Sequence, residues 1–269
     1  MRTWLLGMGL WSALALGAAY YLIPKVINRP IHSYNLATIV FWSWAIFAGL
    51  TAGVKLTGGP VPAWLPTISI AASLMMIVPI ATVTTNFIST MRGKLDMVAY
   101  SPTIRFTFFG TISFTIAMVI ALLASLRTFD RIVHFSQYQE AQQQLVLYAF
   151  FSMIMFGAIY YITPRLVGCE WLSRSLMKLH FFGSAYGGGT ALVSLLFSGL
   201  AFGITIADPE STYAQAIQVA QIYTVGRIIG LTLLTIGHTF FGLHFLLMLL
   251  RIGQPGGQPT LLGTPGDHH

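Results

Sequence analysis

The sequence predicts an all-α, polytopic membrane protein with seven transmembrane helices, and its composition and apolar runs both point to that class. Hydrophobic residues make up 55% of the 269 residues, whereas charged residues make up only 8%. A soluble domain needs more charge to cover its surface, and the apolar residues form runs long enough to cross a bilayer core of about 30 Å. The formal charge of +7 reports membrane topology rather than nucleic-acid binding, because the basic residues lie in short loops.

Seven apolar segments can be marked along the chain, and each is long enough for one membrane crossing. The predicted spans are Thr3–Ile23, Tyr34–Val54, Leu65–Ile88, Phe106–Leu126, Leu145–Thr163, Phe181–Ala207 and Ile222–Leu250. Glycines in the last two spans favour close helix packing in lipid: Gly187, Gly188, Gly189, Gly230, Gly237 and Gly242. The segments predict one seven-helix membrane domain over residues 1–251, followed by a flexible cytoplasmic tail over residues 252–269.

The chain repeats itself at an offset of 140 residues around one short motif. The motif reads Tyr20-Tyr21-Leu22-Ile23-Pro24-Lys25 and again Tyr160-Tyr161-Ile162-Thr163-Pro164-Arg165, and the match continues from Leu36 to Leu176 and from Phe41 to Phe181. Proline disrupts a helix interior, and a basic side chain prefers the headgroup region. We therefore expect each of these two helices to end at the motif.

The amino terminus permits two interpretations. Arg2 and the apolar run after it imitate a signal peptide, but the run continues to Ile23 and ends in the repeated motif, which favours a retained first helix. Loops after helices one, three and five, with the carboxyl end, hold most of the Lys and Arg. This bias predicts a periplasmic amino terminus and a cytoplasmic carboxyl terminus in a bacterial inner membrane. A single cysteine, Cys169, excludes an intrachain disulfide.

Several short motifs recur in an order that carries a family resemblance. Besides the two repeated motifs they are Arg29-Pro30, Ser33-Tyr34, Phe41-Trp42, Pro62-Ala63-Trp64, Asn86, Gly93, Asp96, Pro102, Arg105, His180-Phe181, Ser198-Gly199, Arg227 and Gly230. In their order and spacing the chain resembles the second half of the catalytic subunit I of cbb3-type (C-class) heme–copper cytochrome c oxidases. It is more distantly similar to nitric oxide reductases. The resemblance implies the last seven of that family's twelve core helices, without the first five, and the family's three arcs of four helices would account for the repeat.

The resemblance also implies where heme and copper ligands should lie, and those positions hold other residues. Heme–copper chemistry uses imidazoles on the copper and on both hemes. Counting from the motifs places the two heme-ligand histidines of the family on Gln142 and Gln144, and the adjacent copper-binding pair on Val54 and Lys55. The third copper ligand falls on Trp4. The resemblance therefore predicts a degenerate active site, with no catalytic residue and no metal site.

Two histidines of the last helix are candidate cofactor-binding residues, because an ionisable group at membrane depth is a functional hypothesis by default. His238 or His244 could hold a heme b with an axial partner elsewhere; the alternative is a neutral imidazole bonded to a neighbouring helix. Arg127, Asp130 and Arg131 form a charged cluster on the predicted outer side. That cluster is either a solvated loop or a docking surface for a cytochrome c or a partner subunit.

These observations predict a noncatalytic, oxidase subunit I-like membrane subunit of a respiratory electron-transfer complex, which supports assembly or the docking of a cytochrome or quinone. We expect no cofactor of its own, and partners among other membrane subunits, including a membrane-anchored or periplasmic cytochrome c. A half-sized bundle would expose packing surfaces that favour such partners. Two alternatives stay open: a redox subunit that holds a single heme b, and a small-molecule or ion conductor. The conductor is disfavoured because no buried acidic residue lines any predicted span.

Overall fold

A computed structural model describes residues 6–252, and their regular elements are helices. The start of the first predicted span, with Trp4, and the predicted tail from residue 253 onwards lie outside these residues. In chain order the α-helices are α1 (Ser12–Ile27), α2 (Tyr34–Leu50), α3 (Trp64–Met75), α4 (Ile77–Met91), α5 (Met97–Tyr100), α6 (Pro102–Ser125), α7 (Arg127–Val133), α8 (Gln137–Gln144), α9 (Met153–Val167), α10 (Arg174–Ala207), α11 (Tyr213–Gln221) and α12 (Thr224–Leu249). A π-helical turn (Leu6–Trp11) precedes α1, a 3-10 segment (Thr51–Leu56) extends α2, and a π-helical stretch (Leu145–Ser152) joins α8 to α9.

Seven helical segments of the described residues are long and apolar enough to cross a membrane, as predicted. Spans 1 to 7 are Gly9–Ile27, Tyr34–Leu56, Trp64–Met91, Pro102–Ser125, Gln137–Val167, Arg174–Ala207 and Thr224–Leu249. Spans 5 and 6 begin well before their predicted starts, because Ser136 and Ser173 cap polar first turns that the apolar pattern does not include. Connections after spans 1, 3 and 5 lie at one end of the bundle, named the Lys25 end; those after spans 2, 4 and 6 form the Asp130 end.

The prediction that two helices end at the repeated proline was wrong. Pro24 and Pro164 both lie inside their helices, in the last turn, where the proline carbonyl still accepts the backbone N–H of the residue four positions later. The helices end instead at Asn28 and Gly168, whose left-handed backbone has φ of 51° and 69°. A left-handed residue of this kind is the commonest way to end an α-helix.

The 140-residue repeat is also present in the backbone that follows these helices. Ser33 caps α2 by accepting the N–H of Leu36, and Ser173 caps α10 by accepting the N–H of Leu176. Ser33 corresponds to Ser173, and Leu36 corresponds to Leu176, at the offset of 140 residues. The repeat therefore covers a helix end, a short connection and the start of the next helix, rather than a sequence motif alone.

Equivalent residues of spans 1 and 5 also touch one another. The rings of Trp11 and Phe151 lie 4.9 Å apart edge to face, and those of Tyr21 and Tyr161 lie 6.4 Å apart edge to face. Both pairs are related by the offset of 140 residues. Spans 1 and 5 are therefore packed side by side with matching positions at the same level.

Spans 6 and 7 approach closely through glycine, as the composition predicts. A Cβ added to Gly187 would lie 2.6 Å from the backbone nitrogen of Leu234, and one added to Gly230 would lie 2.5 Å from that of Ala191. By contrast, Gly189 and Gly242 have open space where a Cβ would go. Gly187 and Gly230 therefore lie in the contact between spans 6 and 7, whereas Gly189 and Gly242 do not.

Span 4 supplies the centre of the largest apolar core. The ring of Phe114, which is fully buried, lies 5.7 Å from that of Trp44 in span 2 and 4.8 Å from that of Phe150 in span 5. Gly110 faces Ile154 of span 5 so closely that a Cβ there would lie 2.6 Å from the isoleucine side chain. These contacts fix span 5, which carries Gln142, against the middle of the bundle.

Candidate functional site

The four described positions that align with the family's heme and copper ligands are divided between two elements. Val54 and Lys55 lie in the 3-10 segment after α2, where Val54 is buried and Lys55 is half-buried. Gln142 and Gln144 lie in α8; Gln142 is buried and its Oε1 has no hydrogen-bond partner, whereas Gln144 is exposed. The fifth position, Trp4, lies outside the described residues. Gln142 and Gln144 therefore occupy different environments, and of these two glutamines only Gln142 has a buried side-chain oxygen without a hydrogen-bond partner.

Asp130 is buried, so the prediction that it belongs to a charged surface cluster was wrong. Its carboxylate oxygens lie 2.9 and 3.0 Å from Nδ1 of His134, one helical turn further along, and its side chain is 7% exposed. Asp130 also attracts the ammonium group of Lys55 electrostatically. A buried carboxylate is stable only when it is paired in this way. The Asp130 carboxylate therefore bonds within its own segment, to His134, rather than facing a partner.

The remaining residues of that cluster do lie on the surface. Arg127 and Arg131 are exposed, and Arg127 donates from Nη2 to the Thr67 hydroxyl at 2.6 Å. Phe135, two residues after α7, is 92% exposed. We name Arg127, Arg131 and Phe135 the α7 surface. It combines two cations with an apolar ring, the residue types that are enriched where proteins bind one another.

The α7–α8 connection is held firmly beneath this surface. Gly199 and Gly203 of span 6 leave no room for a side chain, because the backbone at Tyr138 and Ile132 lies directly against them. Ser136 caps α8 with its hydroxyl, which accepts the N–H of Tyr138. The α7 surface is consequently presented by a packed segment.

The two candidate heme-binding histidines have hydrogen-bond partners within the chain. Nε2 of His238, which is half-buried, lies 3.0 Å from the hydroxyl of Tyr148 in span 5. Nε2 of His244, which is 1% exposed, accepts the backbone N–H of Ser173 at 3.2 Å, while its Nδ1 is buried without a partner. His238 thus connects spans 7 and 5, and His244 connects span 7 to the start of span 6.

A third histidine, His180 of span 6, lies between these groups. It is fully buried; its Nδ1 lies 2.9 Å from the hydroxyl of Tyr160, and its ring is 5.4 Å from that of His238. Phe241 stacks on the His180 ring at 4.5 Å, and Phe156 meets it edge to face at 4.7 Å. His180, His238 and His244, with Tyr148 and Tyr160, form what we call the histidine–tyrosine cluster. From the sequence, Tyr160 was noted only as part of the repeated motif and Tyr148 was not noted, since no local spacing connects residues on different spans.

The residues at the counted positions do not fit a heme–copper centre. Glutamine and valine do not replace imidazole as ligands of copper or heme iron, and Lys55 carries an ammonium group where the family has an imidazole. Among the described residues, no group of three or more His, Cys, Asp or Glu side chains is placed to hold a metal ion. These positions therefore supply no imidazole to iron or copper.

The family model "Cytochrome C and Quinol oxidase polypeptide I" matches residues 6–251, which is nearly the whole described chain. The chain belongs to this family. The predicted resemblance to the subunit I of heme–copper oxidases is thereby confirmed, and so is the helical membrane bundle that the resemblance implies.

Individual members of the oxidase family give the same result over part of their length. A cytochrome c oxidase subunit 1 homolog of Agrobacterium tumefaciens is 31% identical over 169 residues, which are 62% of this chain and 31% of that protein. The cbb3-type cytochrome c oxidase subunit CcoN1 of Stutzerimonas stutzeri is 24% identical over 191 residues, or 70% of this chain and 40% of that protein. This chain therefore spans less than half the length of these curated relatives.

A solved structure supports the fold assignment. The heme–copper terminal oxidase dimer known from cryo-electron microscopy superposes with a TM-score of 0.71 at 17% identity, covering 96% of this chain and 50% of that chain. At this identity the match establishes the fold alone. The chain thus has the helical arrangement of one half of an oxidase subunit I.

Proposed function

We propose that this chain is a noncatalytic membrane subunit of a respiratory electron-transfer complex. It is a multi-pass, heme–copper oxidase subunit I-like membrane protein, and proteins of this kind work within multi-subunit respiratory complexes. The observation that carries the proposal is the replacement of imidazole at four counted ligand positions, by Val54, Lys55, Gln142 and Gln144, within a bundle that keeps the family fold. A chain of this kind keeps helical surfaces for other subunits while contributing no ligand from those positions.

The α7 surface is the proposed contact for a cytochrome partner. Arg127 and Arg131 present positive charge, and the exposed ring of Phe135, in the connection that follows α7, offers an apolar anchor. Opposite charges steer association between proteins, whereas a buried aromatic side chain supplies much of the binding energy. We infer that the partner is the acidic face of a membrane-anchored or periplasmic cytochrome c. The Asp130 end then faces the periplasm of a bacterial inner membrane, with the carboxyl terminus in the cytoplasm.

A reduced-minus-oxidised spectrum tests the noncatalytic assignment. The complex is purified in mild detergent through this chain, and subunit mass spectrometry and pyridine hemochrome quantitation are performed on the same sample. We expect cytochrome or oxidase subunits to co-purify, and we expect the isolated chain to show no heme absorbance after these subunits are removed. A b-type heme that stays with the isolated chain at one per molecule would contradict the proposal.

The second candidate function is a redox subunit that holds one heme b on His238 or His244. His238 favours this candidate, because it is half-buried in the membrane-spanning part of the bundle and can exchange its Tyr148 bond for another ligand. Binding through the Nε2 of His244 would require loss of the bond from the Ser173 N–H. Under this candidate, His238→Ala abolishes a b-type signal that the matched change His32→Ala, in the connection between spans 1 and 2, leaves intact.

A further inference from the structure

At the Lys25 end, spans 1 and 5 present two pairs of residues that are equivalent in the repeat. Tyr21 and Lys25 lie one helical turn apart on span 1, and Tyr161 and Arg165 lie one turn apart on span 5. The two tyrosine rings are 6.4 Å apart, so both basic side chains start from the same small region of the bundle. Lys25, Arg165 and Tyr21 are all exposed.

Arg165 is held in place by its own helix. The centre of its guanidinium group lies 3.6 Å from the centroid of the Tyr161 ring, and Nη1 donates to the Tyr161 carbonyl oxygen. A guanidinium group stacked on an aromatic ring loses conformational freedom in advance, and its planar fork suits phosphate oxygens. Arg165 is therefore preorganised for an anion that approaches from the exposed side.

The positive charge at this position is not neutralised within the described part of the chain. Neither Lys25 nor Arg165 forms an ion pair there. Among the described residues, the carboxylates in the connections at the Lys25 end are Asp96, between spans 3 and 4, and Glu170, which has one carboxylate oxygen buried. An exposed anion can therefore approach both cations without meeting an opposing carboxylate on spans 1 or 5.

The surface next to the cations suits a hydrocarbon chain. Gly17 and Ala13 lie one and two turns from Tyr21 on the same face of span 1, and both are exposed. A Cβ at Gly17 would meet no atom within 4 Å, so this face of span 1 is open, and its small residues lead along the helix away from Lys25. Leu14, which is 51% exposed, lies beside it.

We propose that this region binds an anionic phospholipid. The Lys25 ammonium and the Arg165 guanidinium donate hydrogen bonds to the headgroup phosphate, and the Tyr21 hydroxyl lies at the headgroup level. One acyl chain follows the face of Gly17 and Ala13. Charge-assisted hydrogen bonds to phosphate are among the stronger polar contacts in proteins, and basic pockets between membrane helices are suited to anionic headgroups.

Lipid retention measured by native mass spectrometry tests this proposal on the full chain with its co-purifying subunits. The sample is titrated with phosphatidylglycerol or phosphatidylcholine in detergent, and the double variant Lys25→Gln/Arg165→Gln is compared with the wild type. We expect retention of phosphatidylglycerol but not of phosphatidylcholine, and a loss of about fivefold in affinity for each cation removed. The matched control is Arg174→Gln/Lys178→Gln, which removes two exposed basic residues from the same end and should keep the affinity.

Two further measurements separate this outcome from others. Circular dichroism and size-exclusion chromatography report whether the double variant is folded. If the double variant is not folded, the single variant Arg165→Lys is measured instead. This variant keeps the charge but loses the planar guanidinium group, so its affinity for phosphatidylglycerol should lie below that of the wild type. Equal retention of the two lipids, or equal loss in the double variant and the control, overturns the proposal. Displacement of the lipid by millimolar inorganic phosphate would show a free-anion site instead and would also overturn it.

Discussion

At the scale of single residues, Asp130 differs most from its predicted role. A carboxylate between two arginines in a loop sequence indicates a solvated surface, yet the Asp130 carboxylate is buried and bonded to His134. The exposure of Arg127 and Arg131 could be predicted from the sequence, whereas the burial of Asp130 depends on contacts between distant segments.

Asp130→Asn should destabilise the protein by about 1–3 kcal/mol. The change removes the buried negative charge that pairs with His134 and leaves this imidazole with a weaker partner. Thermal unfolding in detergent measures the effect. The matched control is Asp96→Asn, at an exposed carboxylate without an ion pair, and its midpoint should stay close to that of the wild type. Equal shifts for both variants would show that Asp130 contributes no particular stability.

His238 and His244 were predicted as candidates from the sequence, whereas His180 was noted only within a family motif, and the partners of these histidines were not predictable. His238 bonds to Tyr148, 90 residues earlier in the chain, and His180 bonds to Tyr160, 20 residues earlier and on another span. A single sequence contains no signal for such pairs, because each depends on how two helices pack. The alignment of the motifs did point to Gln142 as a ligand position of the family, and in the structure this residue is buried with an unpaired side-chain oxygen.

At the scale of helices and connections, apolar runs predicted the number of spans, the start of span 2 at Tyr34 and the end of span 6 at Ala207 correctly, but they misplaced other ends. Hydropathy reports the part of a helix that suits hydrocarbon, whereas capping side chains and left-handed residues decide where the helix begins and ends. Ser173 begins span 6 one full turn or more before Phe181, and Gly168 ends span 5 after Pro164. Pro24 and Pro164 do not mark the ends of their helices, because the carbonyl of a proline in the last turn still accepts the backbone N–H of the residue four positions later.

Gly187→Ala should loosen the packing of spans 6 and 7. The new Cβ would lie 2.6 Å from the Leu234 nitrogen and 2.8 Å from the Gly230 oxygen, and backbone atoms cannot move aside as a flexible side chain can. We expect a loss of about 1–3 kcal/mol in unfolding free energy, seen in thermal or denaturant unfolding. Gly189→Ala, two residues away with no atom near the added Cβ, should be neutral or stabilising by up to about 1 kcal/mol. If the two variants unfold alike, close packing at Gly187 is not a source of stability.

At the scale of the whole molecule, the family resemblance and the seven-span bundle were predicted correctly from motifs and composition. What those signals could not supply is which surfaces of the bundle meet other proteins. The α7 surface stands out only in three dimensions, because Arg127, Arg131 and Phe135 are exposed whereas Asp130 is buried. Reversing the charge of the α7 surface therefore tests whether this surface binds another subunit of the complex.

The variant Arg127→Glu/Arg131→Glu should slow association with the co-purifying cytochrome subunit by about tenfold or more at low salt. Long-range attraction between opposite charges raises association rates, and salt screens it, so the difference from the wild type should shrink as ionic strength rises. Stopped-flow or surface plasmon resonance measurements give the rate. Arg92→Glu/Lys94→Glu makes the same charge change at the Lys25 end and should leave the rate unchanged. A slower rate in the control alone would place the docking site at the opposite end of the bundle.

The contacts of Trp11 with Phe151 and of Tyr21 with Tyr161 have a consequence for the symmetry of the chain. When a position meets its own counterpart, the surface is complementary to a copy of itself, as at the symmetry axis of a homo-oligomer. The joined spans retain that relation although their sequences have diverged. The contact between spans 1 and 5 is therefore of the kind that two identical copies of one repeat make with each other, although here both copies belong to a single chain.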